Sequence, residues 1–345
     1  MTSAENKNGS LLLAIETSCD ETSAAIVRDG RTVLSNIVSS QIETHRRFGG
    51  VVPEIASRKH VESITMIVQE ALTEAGVSRQ NIDAVAVTQG PGLIGALLVG
   101  VVAGKALAMA WDVPLIGTHH IAGHIYANRL IGEIVYPALA LVVSGGHTEL
   151  VLLPEEGVFR IIGRTRDDAV GEAYDKVARA LSFPYPGGPH VDKLAWQAEE
   201  EIALPRAWLE EGSYDFSFSG LKSAVLAEIN RAKMKGLEPS FAALARGFQN
   251  SVVDVVTTKA MRAASEFGAR QMLLCGGVAA NRGIRERLAA LCEAAALPLL
   301  VPPMALCSDN AAMIGAAAEL KWRRGQFSTL DLAASAQVSL EEWSV

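Results

Sequence analysis

Residues 118–127 read THHIAGHIYA, and two of the three histidines, His120 and His124, stand four positions apart. On a helix, side chains four apart share a face, so both imidazoles can reach one metal ion. The alternative is one interior and one surface histidine with no ion, and spacing alone weighs the two evenly. A zinc peptidase built on such a pair needs a glutamate directly after the first histidine as general base. Ile121 fills that position, which argues against peptide hydrolysis. Two imidazoles need a third ligand from elsewhere, and a carboxylate fits best. The stretch CSDNAAM offers Asp309 at the mouth of the last helix, where Ser308 or Asp309 could equally serve as an N-cap. His119 leaves the segment at a neighbouring helical angle and is given no ligand role.

Four glycine turns are also able to do chemistry. SGGHTE, residues 144–149, is a polar turn whose two glycines let backbone N–H groups approach an anion; a plain hairpin turn is the commoner meaning of Gly-Gly. His147 in that turn is either a metal ligand or a solvent-facing side chain. CGGVAANRGIRE, residues 275–286, puts Gly276 and Gly277 between an apolar run and a helix, where α/β sheets bind nucleotides. Asn281 could there hydrogen-bond a base or sugar, although the pattern is not the dinucleotide fingerprint GxGxxG. TQGPGLIG is a third close-approach turn, and PYPGGPHVD a rigid loop with Asp192 placed to grip ribose hydroxyls. YDFSFSGLKS, with Lys222, reads equally as a functional segment or an alternating edge strand.

These residues need elements to hold them. In SLLLAIETSCDETSAAIV two apolar runs flank a polar turn at residues 16–23, a strand–turn–strand pattern. PALALVVSGGHTELVL repeats that architecture in the second half, which suggests a duplicated fold. Helical spacing marks residues 53–76, with Pro53 near the start and Gly76 at the stop. IDAVAVTQGPG and VPLIGT read as strands, and DDAVGEAYDKVARALSF as a helix. Strand, Gly-Gly turn and helix follow in ARQMLLCGGVAANRGIRERLAALCEAA, then a last strand LPLLVPP and a last helix SDNAAMIGAAAELKWRRG. Alternating strands and helices predict an α/β fold, with two lobes around a cleft folded as one unit.

The chain has 345 residues, 49% hydrophobic and 20% charged, enough for two lobes with real cores. A net charge of −7 argues against holding nucleic acid by overall charge, though local basic groups remain: residues 45–47, residues 58–60, Arg282 with Arg285 and Arg287, and residues 321–324. The four scattered cysteines form no CxxC pair and read as reduced thiols of a cytoplasmic protein. The polar start MTSAENKNGS predicts no signal peptide. The longest apolar run, residues 93–111, contains Lys105 and several glycines, so it reads as a buried helix and not a membrane span.

Ten stretches occur together and in order: IETSCDETSAAI, SQIETHRRFGGVVPEIASRKH, TQGPGLIGALLVG, HHIAGH, LVVSGGHTEL, GEAYDKVAR, YPGGP, FSFSGLKSA, GGVAANRGIR and CSDNAAM. Over residues 10–325 the chain thereby resembles the universal tRNA threonylcarbamoyltransferase family in its bacterial form, TsaD. The resemblance implies a duplicated actin-like, Hsp70-like ATPase (ASKHA, ribonuclease H-like) α/β fold. It implies one divalent metal ion, Fe2+ or alternatively Zn2+, on His120, His124 and Asp309. It implies that Val142, Val143, Ser144, Gly145, Gly146, Asp175, Gly188, Asp192 and Asn281 hold an adenylate substrate, and that Asp20 is the catalytic acidic residue. Ala122 and Tyr174 depart from the family pattern without changing a ligand type. The implied reaction moves a threonylcarbamoyl group from threonylcarbamoyl-AMP to the N6 amine of the tRNA adenosine just 3′ of the anticodon, in tRNAs reading ANN codons, giving t6A and AMP. Implied partners are tRNA, threonylcarbamoyl-AMP, a TsaB-like paralogue and a TsaE-like ATPase, with no membrane.

The expected division is residues 10–130 with 310–337 in one lobe and 131–309 in the other, with tails at 1–9 and 338–345. Asp309 then comes from the second lobe, so the metal site should close only when both lobes fold together. Rival readings are a metal peptidase, a sugar- or acetate-kinase-like phosphotransferase, and a non-catalytic scaffold on the same fold.

Overall fold

The computed structural model describes residues 9–345, and the chain divides into two compact units. Residues 1–8 of the expected N-terminal tail lie outside the described residues. The first unit takes the described residues up to Thr44, then Val51–Glu133 and Ser308–Val345; the second takes His45–Gly50 and Ile134–Cys307.

The first unit opens with β1 (Leu11–Glu16), β2 (Glu21–Arg28) and β3 (Thr32–Ser40), an antiparallel meander that bears out the strand–turn–strand reading. A single-turn helix, α1 (Ile42–Arg46), leads to α2 (Pro53–Glu74), which has Pro53 in its first turn and stops before Gly76. Then come β4 (Ala84–Gly90), α3 (Ile94–Trp111), β5 (Leu115–His119) and the two-turn α4 (His120–Tyr126). The sheet order is β3-β2-β1-β4-β5, with β4 parallel to β1 and β5 parallel to β4.

Alternation along β1 decides where its side chains go. Leu11, Leu13 and Ile15 join one core cluster with Ile64, Val68 and Leu72 of α2 and Val101 and Ala108 of α3. Leu12, Ala14 and Glu16 face the other way. On that side Ala14 and Val27 meet Gly315 of the last helix.

The second unit repeats the plan: β6 (Ala138–Val143), β7 (Thr148–Leu153), β8 (Arg160–Arg164), α5 (Val170–Ala180), α6 (Gly188–Gln197), α7 (Ser219–Met234), α8 (Phe241–Glu266), β9 (Gln271–Cys275), α9 (Arg282–Ala294), β10 (Leu299–Leu300) and α10 (Met304–Cys307). Its sheet order is β10-β9-β6-β7-β8, with β6–β7 and β7–β8 antiparallel and β6–β9 and β9–β10 parallel. In both sheets the first strand lies between the second and the fourth, the third and fifth forming the edges. The duplication expected from the two hairpins is therefore present as topology. The chain then returns to the first unit as α11 (Ala311–Arg323), packed on α4, β1 and β2.

Four expectations change. The run at 93–111 is not wholly buried: α3 packs one side on the core, but Ile94, Leu98, Val102 and Met109 are exposed. By length and composition α3 could cross a membrane, yet its other side is occupied by the sheet. YDFSFSGLKS forms no edge strand; only Phe216 bridges Thr165, and α7 starts at Ser219, where Asp167 accepts from the backbone N–H groups of Phe218 and Ser219. Residues 338–345 are no tail: Leu340 and Trp343 are buried, and the Trp343 indole donates to the Gly117 carbonyl at 3.1 Å. Asp309 falls within the first unit, not the second.

Two stability predictions follow from these packings. Trp343→Ala removes a buried ring and its hydrogen bond, and urea denaturation should show a loss of about 3 kcal/mol; an unchanged midpoint would restore the view of 338–345 as a tail. Glu149 on β7 pairs across the sheet with Arg164. Burial pushes its carboxyl up to about 7 from 4.5, against the pull of Arg164. A raised carboxylate pKa means the folded state holds a proton that the unfolded state has lost, so this contribution is present below pH 4.5 and lost as pH rises through 7. Glu149→Gln should therefore gain about 2 kcal/mol over the parent at pH 8 compared with pH 5.

Candidate functional site

The parallel run β1-β4-β5 ends with Glu16 and His119 at its carboxyl edge, where open α/β sheets present ligand groups. The chain turns from β5 directly into α4, and His119 makes that turn. Its Nδ1 accepts from the Ile121 N–H at 3.1 Å, capping α4, and its Nε2 lies 3.0 Å from the Val338 carbonyl. An acceptor Nδ1 fixes the proton on Nε2. His119 thus has no ligand role but sets the angle at which His120 and His124 leave the sheet.

His120 and His124 share one face of α4 with ring centroids 4.6 Å apart. His120 Nδ1 lies 3.1 Å from Glu16 Oε2 and 3.1 Å from Ser18 Oγ. Opposite a carboxylate, Nδ1 carries a proton, which leaves Nε2, 3.6 Å from Asp309 Oδ1, as the nitrogen that would bind an ion in place of the second proton. Glu16 is itself held: its Oε1 accepts from the Ser18 N–H and its Oε2 from the Thr88 hydroxyl at 2.6 Å. Burial disfavours a charged imidazole, but Asp309 and then Glu16 outweigh it and push His120 up to about 9. Burial also acts to raise the Glu16 carboxyl, and His120 more than offsets it, leaving Glu16 below its ordinary value. The pocket is built for a positive charge beside two carboxylates.

His124 is fully buried, and neither ring nitrogen has a hydrogen-bond partner. Its Nε2 approaches Asp309 Oδ1 to 3.1 Å without hydrogen-bond alignment. A buried imidazole left in this way costs free energy that a metal–nitrogen bond recovers. Metal bonds of about 2.1 Å in tetrahedral array separate donors by about 3.4 Å; here the two histidine nitrogens stand 3.6 and 3.1 Å from Asp309 Oδ1. Among the described residues these three form the one such donor group, and the residues fit a divalent ion. The helix cap at this place is Asn310, whose Oδ1 accepts from the Met313 N–H at 3.1 Å, so Asp309 is not needed as a cap. His147 belongs to the second unit and is no part of this group.

Asp20 sits in the β1–β2 turn, buried, with Oδ2 lacking a hydrogen-bond partner. His60 of α2 pins the turn: its Nδ1 meets the Thr22 hydroxyl at 2.8 Å and its Nε2 the Cys19 carbonyl at 2.9 Å. Burial, then the nearby Asp20 and Asp309, push the Glu21 carboxyl well above its ordinary value. The turn is a cluster of acidic side chains.

In the second unit Val142 and Val143 end β6 with buried side chains, and the chain turns through Ser144, Gly145 and Gly146. The turn closes on itself through Ser144 N–H to the His147 carbonyl (2.8 Å) and His147 N–H to Ser144 Oγ (3.0 Å). A Cβ at Gly145 or Gly146 would meet no protein atom, so the outer side of the turn is open. Gly276, at φ +90°, lies so close that a Cβ would collide with the Val143 carbonyl. Asn281 caps α9 through Oδ1 and donates through Nδ2 toward Asp192 (3.1 Å), Tyr174 (3.2 Å) and Gln249 (3.3 Å). Asp175 accepts from the Gly187 N–H at 2.7 Å and so holds the backbone leading to Gly188. Burial raises Asp175 and Asp192, with backbone N–H groups opposing it at both. The structure thus gathers Asn281 with Asp192, and Asp175 with the 187–188 backbone, while the 142–146 turn meets Gly171 of α5 and Gly276.

Sequence reasoning missed Glu16, Ser18, Tyr174 and Gln249 as members of these networks. Glu16 left a signal: a lone carboxylate closing an apolar strand, in phase with Leu12 and Ala14.

The chain matches the family model for TsaD, tRNA N6-adenosine threonylcarbamoyltransferase, over residues 32–316. It is 58% identical to the tRNA N6-adenosine threonylcarbamoyltransferase of Bacillus cereus, across 97% of this chain and 98% of that one. It is 62% identical to that of Geobacillus kaustophilus, across 99% of each. Among solved structures, full-length HypF in the phosphate- and nucleotide-bound form aligns with a TM-score of 0.62 at 16% identity, over 92% of this chain and 47% of that one. The Acidaminococcus fermentans (R)-2-hydroxyglutaryl-CoA dehydratase component A aligns with a TM-score of 0.54 at 15% identity, over 91% and 98%. These likenesses concern the fold alone and agree with the duplicated actin-like plan. With a family model matched over most of its length and relatives this close along the whole of theirs, the chain belongs to the TsaD family of tRNA N6-adenosine threonylcarbamoyltransferases.

Proposed function

We propose that this protein transfers the threonylcarbamoyl group from threonylcarbamoyl-AMP to the N6 amine of the tRNA adenosine just 3′ of the anticodon, giving t6A and AMP. The observation that carries this reading is the His120, His124 and Asp309 group, with both histidines buried and His124 unsatisfied, in a chain of this family. In the transfer the N6 nitrogen bonds to the carbamoyl carbon, the bond from that carbon to the phosphate oxygen breaks, and AMP leaves with the electron pair. The N6 proton must go to a base or to water. An exocyclic adenine amine is a weak nucleophile, so alignment and charge stabilisation matter most.

We assign a divalent ion, Fe2+ or alternatively Zn2+, to His120, His124 and Asp309, a donor set that suits either. When bound, it supplies polarisation of the donor's carbamoyl or phosphate oxygens. Glu16 orients His120 so that Nε2 faces the ligand position. Asp20 is the candidate base, having a buried oxygen without a partner. In the second unit we assign the donor's phosphate to the open backbone of Ser144, Gly145 and Gly146, and the adenosine to Asp192, Asn281 and the loop at Gly188 that Asp175 holds. A peptidase reading would need a base after His120; Ile121 there is a buried hydrocarbon.

The TsaB-like paralogue is assigned to the stripe Ile94, Leu98, Val102 and Met109, an exposed apolar face of a kind that marks protein contacts. The TsaE-like ATPase remains a partner implied by the resemblance, and we assign the protein to the cytoplasm as the compartment of a tRNA substrate.

Asp309→Ala and His124→Ala should bring metal content, measured by mass spectrometry, to background and slow transfer from preformed threonylcarbamoyl-AMP at least about a hundredfold. Full turnover in metal-free protein would sink the metal role. Glu16→Gln keeps the donors and should weaken metal affinity about 10–100-fold. Val102→Asp should abolish co-elution with the paralogue while leaving the far-ultraviolet spectrum unchanged; retained co-elution would move the contact elsewhere.

A further inference from the structure

After α11 the chain runs back over the first unit, and residues 324–345 form no helix or strand beyond a single bridge. This segment docks by its backbone. The Ser328 N–H donates to the Leu115 carbonyl at 2.8 Å, and the Gly117 N–H donates to Ser328 Oγ at 3.0 Å, which covers the outer edge of β5. The Ser335 N–H donates to the Gln89 carbonyl at 2.9 Å, and the Gly92 N–H to the Ala336 carbonyl at 3.4 Å. A Cβ at Gly90 would collide with the Ser335 carbonyl oxygen. Further on, the Trp343 indole and the Lys321 ammonium both donate to the Gly117 carbonyl, at 3.1 and 3.4 Å. The contacts thus follow β5 to the carboxyl ends of β4 and β5, the edge at which the metal donors leave the sheet.

His119 joins this segment to the donors. Its Nδ1 accepts from the Ile121 N–H at the start of α4, and its Nε2–H donates to the Val338 carbonyl at 3.0 Å. One buried ring therefore ties the first turn of α4 to residue 338. A helix of seven residues is too short to hold a direction by its own hydrogen bonds, so tertiary ties must set it. His120 has Glu16 and Ser18 to orient its ring. His124 has neither nitrogen hydrogen-bonded, so the path of α4 and the packing around it decide where its Nε2 lies. Metal bonds tolerate donor displacements of only about 0.2 Å. An error in the path of α4 would fall mostly on His124.

We propose that residues 335–343 are a strap that positions α4 through His119, so that docking of this segment and retention of the divalent ion are one coupled equilibrium. The proposal rests on the metal assignment to His120, His124 and Asp309. His119 and Trp343 are positioning residues, since neither is a donor to the ion. By linkage, the factor by which a docked strap raises ion affinity is also the factor by which a bound ion tightens the strap. A segment that only stabilised the fold would lower the unfolding midpoint when damaged and leave the ion affinity of the folded chain as it was.

The test titrates Co2+ into the metal-free full chain and follows the visible absorption of the bound ion, which reports the geometry of its donors. The variants are His119→Asn, whose shorter side chain can still cap α4 but does not reach Val338, Trp343→Ala, and the two combined. All are titrated well below their unfolding midpoints. Each single variant should bind Co2+ about tenfold more weakly and with a shifted band. The double variant should lose no more than the more affected single, because both changes release the same strap. In the parent, Co2+ should slow hydrogen exchange at the Ser335 amide about tenfold, and Asp309→Ala should remove that protection. Single variants with the parent's affinity and spectrum would overturn the strap and leave the metal assignment standing, as would losses that add in the double variant or a Ser335 amide indifferent to Co2+. A parent that binds no Co2+ would overturn the metal assignment and the strap together.

Discussion

The contact between Glu16 and His120 is the one on which the candidate donor group depends. A histidine can ligate through only one nitrogen at a time, and the partner of the other nitrogen decides which. Glu16 reaches His120 because β1 alternates, so its last residue faces α4, away from α2 and α3. The Glu16 carboxylate can stay ionised in a fully buried place because the Thr88 hydroxyl, the Ser18 N–H and His120 all donate to it. Parallel pairing of β1, β4 and β5 brings Glu16, Thr88 and His119 to one edge. An antiparallel arrangement of the same strands would scatter them.

Duplication gives the molecule two strand–turn–strand openings with the same topology and different chemistry. The turn after β1 is acidic, with Asp20 buried and Glu21 half-buried near Asp309. The turn after β6 is glycine-rich and open, with backbone N–H groups and no carboxylate until Glu149. An acidic turn suits a cation or a proton; an open glycine turn suits an anion. One ancestral plan has been given opposite electrostatics by changing a few residues at the same topological place.

Most of the fold was legible in the sequence because its signals are local. Alternating apolar runs, Pro53 at a helix start and glycines after helices marked the elements, and two similar hairpins announced the duplication. The histidine pair was legible as a candidate, since spacing puts His120 and His124 on one helix face, while the resemblance was needed to join Asp309 to them. What stayed hidden was tertiary. Asp309 lies at the joint between α10 and α11, and only packing assigns it to the first unit; the capping choice among Ser308, Asp309 and Asn310 is settled by which side chain the Met313 N–H reaches. The burial of Trp343 depends on the Gly117 carbonyl more than two hundred positions earlier. The exposed stripe of α3 was hidden by its own composition, because a helix apolar at nearly every position gives little periodicity to say which side faces the sheet.

That last case bears on function. A helix with four exposed apolar residues is costly to leave in water, yet α3 cannot exchange them for polar ones if another chain must cover them. The metal group obeys the same logic at a smaller scale. His124 is buried without a partner, and its neighbourhood offers it no donor or acceptor in hydrogen-bond alignment. In both places the isolated chain carries an unfavourable feature that a bound ion or partner would remove. A peptidase would place a general base beside its ion to activate water, and Ile121 denies it one. A transferase with an already activated acyl donor needs no water activated, so the missing base is no obstacle to it.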